Sequence, residues 1–129
     1  MKKKILIVVA NYYKVISSGL LKSAQKEISR SYEIKVINVP GAFEIPVSIS
    51  KNINKFHAFV ALGCIIKGET PHFDFISKST TDALMKLSIE NKKPIGNGII
   101  TCLNKSQAEV RSNKKGIEAA KAVISVLSQ

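Results

Sequence analysis

The groups in this chain best suited to chemistry are concentrated in Gly63-Cys64-Ile65-Ile66-Lys67-Gly68-Glu69-Thr70-Pro71-His72-Phe73-Asp74, between an apolar run and a helical pattern. Residues 59–62 feed it as a strand, glycines punctuate a loop, and Thr70-Pro71 marks a helix start. Threonine is a good N-cap, and proline suits the first helical position, where a missing N–H costs nothing. The helix is therefore expected from Pro71. Its free N–H groups and the positive end of its dipole face the Gly68-Glu69-Thr70 loop, an arrangement that holds a phosphate or carboxylate without a dedicated cation. His72 lies in the same first turn, where an imidazole of ordinary pKa, about 6.5, gives or takes a proton near neutrality. Strand-loop-helix joints of this kind are common, and a single first-turn histidine is often only a surface residue, so the stretch alone names no function.

The elements that must position it follow from periodicity. Residues 4–10 form a continuous apolar run, the pattern of a central parallel strand covered on both faces. Asn11-Tyr12-Tyr13 breaks it, and from Val15 to about Arg30 the residues Ile16, Leu20, Leu21, Ala24 and Ile28 recur at helical spacing, with Ser17 or Ser18 as a cap. Residues 32–39 read as a second strand, ending at the turn-rich Val39-Pro40-Gly41-Ala42-Phe43-Glu44-Ile45-Pro46, and a short helix is expected over 46–54. Residues 57–63 form the third strand. The helix from Pro71 keeps Ile76, Thr80, Ala83, Leu84 and Leu87 on one face to about Glu90. Residues 95–101 are a fourth strand in which Gly96 and Gly98 admit a neighbouring backbone or a ligand. Asn104 caps a short helix through Arg111, and a last helix carries Ile117, Ala120, Ile124 and Leu127 on one stripe. Strands alternating with helices predict a three-layer α/β sandwich, flavodoxin-like, with a four-stranded, mostly parallel sheet flanked by helices on both faces. Ligands bind outside the carboxyl ends of such strands, near the switch in strand order. That rule gathers Asn11-Tyr12-Tyr13, residues 40–44 and residues 63–72 into one pocket offering an aromatic face, a carboxylate, backbone amides and an imidazole.

A chain of 129 residues makes one domain, residues 1–129, and its 45% hydrophobic content is that of an ordinary globule. Met1-Lys2-Lys3-Lys4 with the apolar run after it mimics a signal peptide, but the run is short and no small-residue cleavage site follows. No stretch approaches the roughly 18 apolar residues of a membrane span. Cys64 and Cys102 form neither a CxxC pair nor a disulfide framework, which fits a reducing cytoplasm. The net charge of +11 comes from 18 Lys and 2 Arg scattered over the chain, without interleaved aromatic residues, so it reads as solvated Lys-rich faces rather than a nucleic-acid interface.

Taken together, Val39-Pro40-Gly41-Ala42-Phe43-Glu44-Ile45-Pro46, Leu62-Gly63 through Gly68-Glu69-Thr70-Pro71-His72-Phe73-Asp74, Pro94-Ile95 with Gly98-Ile99, and then Asn104, Gln107-Ala108, Arg111, Lys115-Gly116 and Glu118-Ala119-Ala120 resemble the 6,7-dimethyl-8-ribityllumazine synthases, in order and over nearly the whole chain. The resemblance implies condensation of 5-amino-6-(D-ribitylamino)uracil with 3,4-dihydroxy-2-butanone 4-phosphate, losing phosphate and water, without cofactor or metal, in the penultimate step of riboflavin biosynthesis. It implies that Tyr12 stacks on the uracil, that Ala42, Phe43 and Glu44 hold the ribityl chain, and that Cys64, Ile65 and Ile66 line the pyrimidine edge, Cys64 by its backbone. Glu69 and Thr70 match the phosphate loop, His72 the proton-transfer residue, Arg111 the guanidinium that grips phosphate, and Lys115 a basic residue near the same anion.

Members of the family are pentamers, some forming shells of twelve pentamers, with active sites shared between neighbours, so that Asn97, Arg111 and Lys115 would come from the adjacent chain; a functional link to riboflavin synthase also follows. Tyr13 and Asn97 depart from the family pattern, the former replacing a small polar residue and the latter an aromatic one, and the Arg111 to Lys115 connection is shorter by about one helical turn. The chain starts almost directly with its first core strand, which favours an isolated pentamer over a shell. A flavin or lumazine carrier is the rival reading, and it would need neither His72 nor Arg111.

Overall fold

The computed structural model describes residues 2–68 and 73–129. Its elements are β1 (Lys3–Ala10), α1 (Lys14–Glu27), β2 (Tyr32–Val39), a 3-10 turn (Ala42–Glu44) leading directly into α2 (Ile45–Lys51), β3 (Ala58–Ile66), α3 (Phe73–Asn91), β4 (Ile95–Cys102) and α4 (Lys105–Leu127). The strands form one sheet in the order β2-β1-β3-β4, parallel at every pairing. Residues 3–10 pair with 32–39 on one side of β1, and residues 5–9 with 58–62 on the other.

Side chains of a strand point alternately to its two faces, and β1 accordingly feeds two cores. Ile5, Ile7 and Val9 pack with Ile16, Leu20 and Ala24 of α1 and Ala108, Ala120 and Val123 of α4. Leu6, Val8 and Ala10 pack with Ala42, Ile45 and Ile49 around α2, and with Leu84 of α3. Helices thus cover both faces, giving the three-layer, flavodoxin-like sandwich. Burial on both sides, with no residue of 5–10 more than 3% exposed, is why the run is continuously apolar rather than alternating. Among the described residues, no helix is long and apolar enough to cross a membrane.

Several element boundaries differ from the sequence expectation, each for a tertiary reason. β3 does not stop at Gly63 but continues to Ile66, because residues 63–66 go on pairing with residues 99–102 of β4. The helix expected over 46–54 is shorter and is preceded by the 3-10 turn. α1 starts at Lys14, with Tyr13 at its N-cap and no side-chain cap bond; Ser17 and Ser18 lie within the helix. The expected helix start at Pro71 falls outside the described residues. The two C-terminal helices are one: α4 runs unbroken for 23 residues, with the Asn104 side chain accepting from the Gln107 N–H at 3.0 Å as its cap.

Gly116 lies within α4 because of packing, not punctuation. A Cβ there would strike the Ser23 hydroxyl and sit 2.5 Å from the Leu20 carbonyl oxygen of α1. Gly19 of α1 meets Ser112 of α4 in the same way, with the Ser112 hydroxyl 2.8 Å from where a Cβ would stand. Small residues therefore let α1 and α4 approach closely. In β4, Gly96 admits the α4 backbone: a Cβ would collide with the Ala119 carbonyl oxygen. Gly96 thus seats a helix, while a Cβ on Gly98 would stand 2.5 Å from Leu62 Cδ2 of β3.

Gly116→Ala sets helix propensity, worth about 1 kcal/mol in favour of alanine, against overpacking on immovable backbone atoms, worth about 1–3 kcal/mol against it. The clash with Leu20 decides the sign. Urea denaturation is expected to give a lower midpoint for Gly116→Ala than for the wild-type chain.

Candidate functional site

In a sheet ordered β2-β1-β3-β4, the chain reverses its direction of travel between β1 and β3, so the crevice beyond their carboxyl ends is where a ligand fits. A cavity of about 280 Å³ lies there. Tyr12 and Tyr13 reach it from the joint after β1, Gly41, Ala42 and Phe43 from the joint after β2, Cys64, Ile65 and Ile66 from the end of β3, and Ile76 from α3. The three joints singled out in the sequence meet as expected, except that Cys64, Ile65 and Ile66 belong to the strand and not to a loop.

Tyr12 is 73% and Phe43 65% exposed. Aromatic faces left so open beside a cavity suit a planar ring. The Tyr12 ring meets that of Tyr13 edge to face, centroids 4.8 Å apart and planes at 82°, and the Lys105 ammonium lies 5.9 Å from the Tyr13 centroid. An Asn11 N–H to Val39 carbonyl bond of 3.0 Å ties the first joint to the second. Glu44 is half-buried and curls over Gly41: a Cβ on that glycine would stand 3.2 Å from its Oε1. Among the described residues no ion pair or hydrogen bond engages this carboxylate, which leaves it free for hydroxyl donors. It lines a groove that adjoins the cavity at Phe43, together with Pro46, Val47, Ser79, Thr80 and Ala83.

Cys64 is not placed to act as a nucleophile. Burial pushes its thiol up from an ordinary 9.0 to about 12, and the adjacent Cys102 thiol adds to the rise by charge and by hydrogen bonding. The Cys102 thiol in turn donates to the Asn104 carbonyl at 3.2 Å.

Arg111 and Lys115 do not reach this cavity within one chain. One helical turn apart on α4, they line a separate hollow of about 420 Å³ beside β4, with Ile99, Ile100, Thr101, Val110, Lys114 and Glu118. Three cations facing a single carboxylate make it an anion-attracting surface. Asn97 lies elsewhere again, exposed on β4, where its Oδ1 accepts from the Ile99 N–H at 3.0 Å and it borders a groove with Leu84 and Met85. Glu69, Thr70 and His72 lie outside the described residues; before them stands Gly68, at φ +93°, a left-handed conformation that favours glycine.

Sequence reasoning passed over Ile76 and Lys114 as lining residues. Ile76 was assigned to a core stripe, and Lys114 could have been found from its position three residues after Arg111 on one helix face. His57 lies at the other end of the strands, its Nδ1 accepting the Lys4 N–H at 2.9 Å, a structural role.

The family model for 6,7-dimethyl-8-ribityllumazine synthase matches residues 2–129. The 6,7-dimethyl-8-ribityllumazine synthase of Bartonella tribocorum is 41% identical over 140 residues, covering 99% of this chain and 91% of that protein. That of Nitrobacter hamburgensis is 40% identical over 136 residues, covering 95% and 82%, and that of Cutibacterium acnes 38% identical over 133 residues, covering 97% and 80%.

A thiol raised in the folded state keeps its proton after the unfolded chain has begun to lose it. Its contribution to stability is therefore fully present below pH 9.0 and is lost as pH rises toward about 12. At neutral pH, iodoacetamide is expected to label Cys64, located by peptide mass spectrometry, much more slowly in the folded protein than in urea. Equal rates would refute the buried-thiol assignment.

Proposed function

The chain belongs to the 6,7-dimethyl-8-ribityllumazine synthase family, and on that footing we propose that it condenses 5-amino-6-(D-ribitylamino)uracil with 3,4-dihydroxy-2-butanone 4-phosphate, releasing phosphate and water, in the penultimate step of riboflavin biosynthesis. The observation that carries the reading is the meeting of Tyr12, Ala42, Phe43, Cys64, Ile65 and Ile66 around one cavity at the β1–β3 switch point. The uracil stacks on Tyr12, its ribityl hydroxyls donate to Glu44, and its pyrimidine edge runs along the end of β3. Amine attack on the ketone forms a Schiff base with loss of water. Phosphate elimination then requires a proton to move on carbon and an anion to be stabilised as it leaves. His72 moves the proton. Arg111 and Lys115 hold the phosphate together with Glu69, Thr70 and the helix N–H groups beyond them. Holding two small substrates in register supplies much of the acceleration.

Because Arg111, Lys115 and Asn97 lie away from the Tyr12 cavity of their own chain, the reading places them in the cavity of an adjacent copy. The assembly is a homopentamer, the unit from which a 60-subunit shell would be built, located in the cytoplasm and supplying its product to a riboflavin synthase. Support comes from the apolar surface left open on one chain: Val47, Phe75, Met85, Ile89, Val110 and Val126 are all between 46% and 83% exposed. A stable oligomer covers such surface.

The test mixes purified protein with both substrates and follows lumazine absorbance. His72→Ala is expected to lower kcat about a hundred-fold without abolishing turnover. Arg111→Ala is expected to raise KM for the butanone phosphate about ten- to a hundred-fold, with KM for the uracil little changed. Equal losses for both substrates would count against the assignment of Arg111.

Sharing of sites has its own signature. Tyr12→Ala and Arg111→Ala chains, each impaired alone, are expected to regain about a quarter of wild-type activity when unfolded together and refolded as a mixture, because random neighbours then build intact sites. Recovery no greater than the average of the two variants would place both residues in one chain's site.

A further inference from the structure

The joint Asn11-Tyr12-Tyr13 carries both tyrosines of the cavity, yet it enters α1 with no side-chain cap at Tyr13. Beside the Asn11 to Val39 bond, it is anchored from further along the chain. Ser17, 5% exposed, places its hydroxyl 2.6 Å from the Ala10 carbonyl oxygen and 2.9 Å from that of Tyr13. A serine in a helix often bonds the carbonyl one turn back, as here to Tyr13. The bond to Ala10, seven residues back and outside the helix, is of a different kind: it ties the first turn of α1 to the last residue of β1. The Tyr13 carbonyl also accepts the Ser17 N–H at 2.9 Å, so the single hydroxyl proton is available to Ala10. One residue thereby holds the two carbonyls that bracket the joint, that of Ala10 through its buried hydroxyl and that of Tyr13 through its backbone N–H. Fixing the backbone of the joint fixes the point from which the Tyr13 ring projects, and that ring meets Tyr12 edge to face.

We propose that Ser17 is a positioning residue for the aromatic face of the cavity, holding Tyr12 where the pyrimidine ring stacks. The inference rests on the reading of the uracil site given above. Ser17 lines neither that cavity nor the Arg111 hollow, so it acts through the joint and not by contact with substrate. Losing its hydroxyl lets the joint relax and weakens stacking of the uracil, while the phosphate substrate, gripped elsewhere, is unaffected.

Steady-state kinetics of Ser17→Ala, Ser17→Thr, Tyr12→Ala and the double variant Ser17→Ala/Tyr12→Ala test this, with thermal unfolding measured alongside. Ser17→Ala is expected to raise KM for the uracil about five-fold, the loss of one hydrogen bond, leaving KM for the butanone phosphate unchanged. Ser17→Thr, which retains the hydroxyl, is expected to restore it. In the Tyr12→Ala background the Ser17 substitution is expected to add nothing, because its effect passes through that ring. An unchanged uracil KM in Ser17→Ala, or effects that multiply in the double variant, would overturn the assignment. Should Ser17→Ala fail to fold, Ser17→Cys keeps the volume with a weaker donor and carries the same comparison. An inactive wild-type chain that also fails to bind the uracil removes the reaction and this role together; an active one indifferent to Ser17 removes only the role.

Discussion

Parallel pairing of β1 with β3 is the constraint on which the rest of the structure depends. It puts β1 inside the sheet with both edges paired, so that its two apolar faces each require a layer of helices, and it brings the two carboxyl ends side by side. Parallel strands cannot be joined by tight hairpins. Each connection must cross over the sheet, and each therefore delivers a new loop to the same edge. The cavity exists because the joints after β1, β2 and β3 have nowhere else to go.

Much of this was legible in the sequence. The continuous apolar run of residues 5–10, the helical spacing of Ile16, Leu20 and Ala24, and the Asn104 cap are local signals, and each predicted its element. What was misread depended on partners remote in sequence. Gly63 looks like the end of a strand until β4 is beside it, and Gly96 could admit a ligand or a backbone until α4 is pressed against it. Glycine is ambiguous in a bare sequence because a missing side chain serves a turn and a close contact equally well.

The candidate site divides along the same line. Most of its apolar and aromatic wall was readable, because Tyr12, Ala42 and Phe43 follow strands and Cys64, Ile65 and Ile66 end one, whereas Ile76 comes from α3. The cationic hollow of Arg111, Lys114 and Lys115 was readable as a set of charges on one helix face but not as a place, since α4 carries it to the far side of β4. Ser17 was legible as a cap candidate and proved to be a clasp, a distinction made by a hydrogen bond to Ala10 that no periodicity encodes.

Strand order also bears on synthesis. β1 leaves the ribosome before either of its neighbours, yet it occupies the middle of the sheet, and the strand that covers its second edge begins only at Ala58. Until then a six-residue apolar segment waits in a nascent chain with at least that edge unpaired, the kind of segment that pairs with copies of itself. Lys2, Lys3 and Lys4 stand immediately before it and are exposed in the folded protein. Their repulsion between chains guards the segment during that interval, as charged flanks guard hydrophobic strands generally. In the finished molecule Lys3 reaches the Leu127 carbonyl and Lys4 lies 4.0 Å from Glu33, so the same charges that protect the unfinished chain find partners in the folded one.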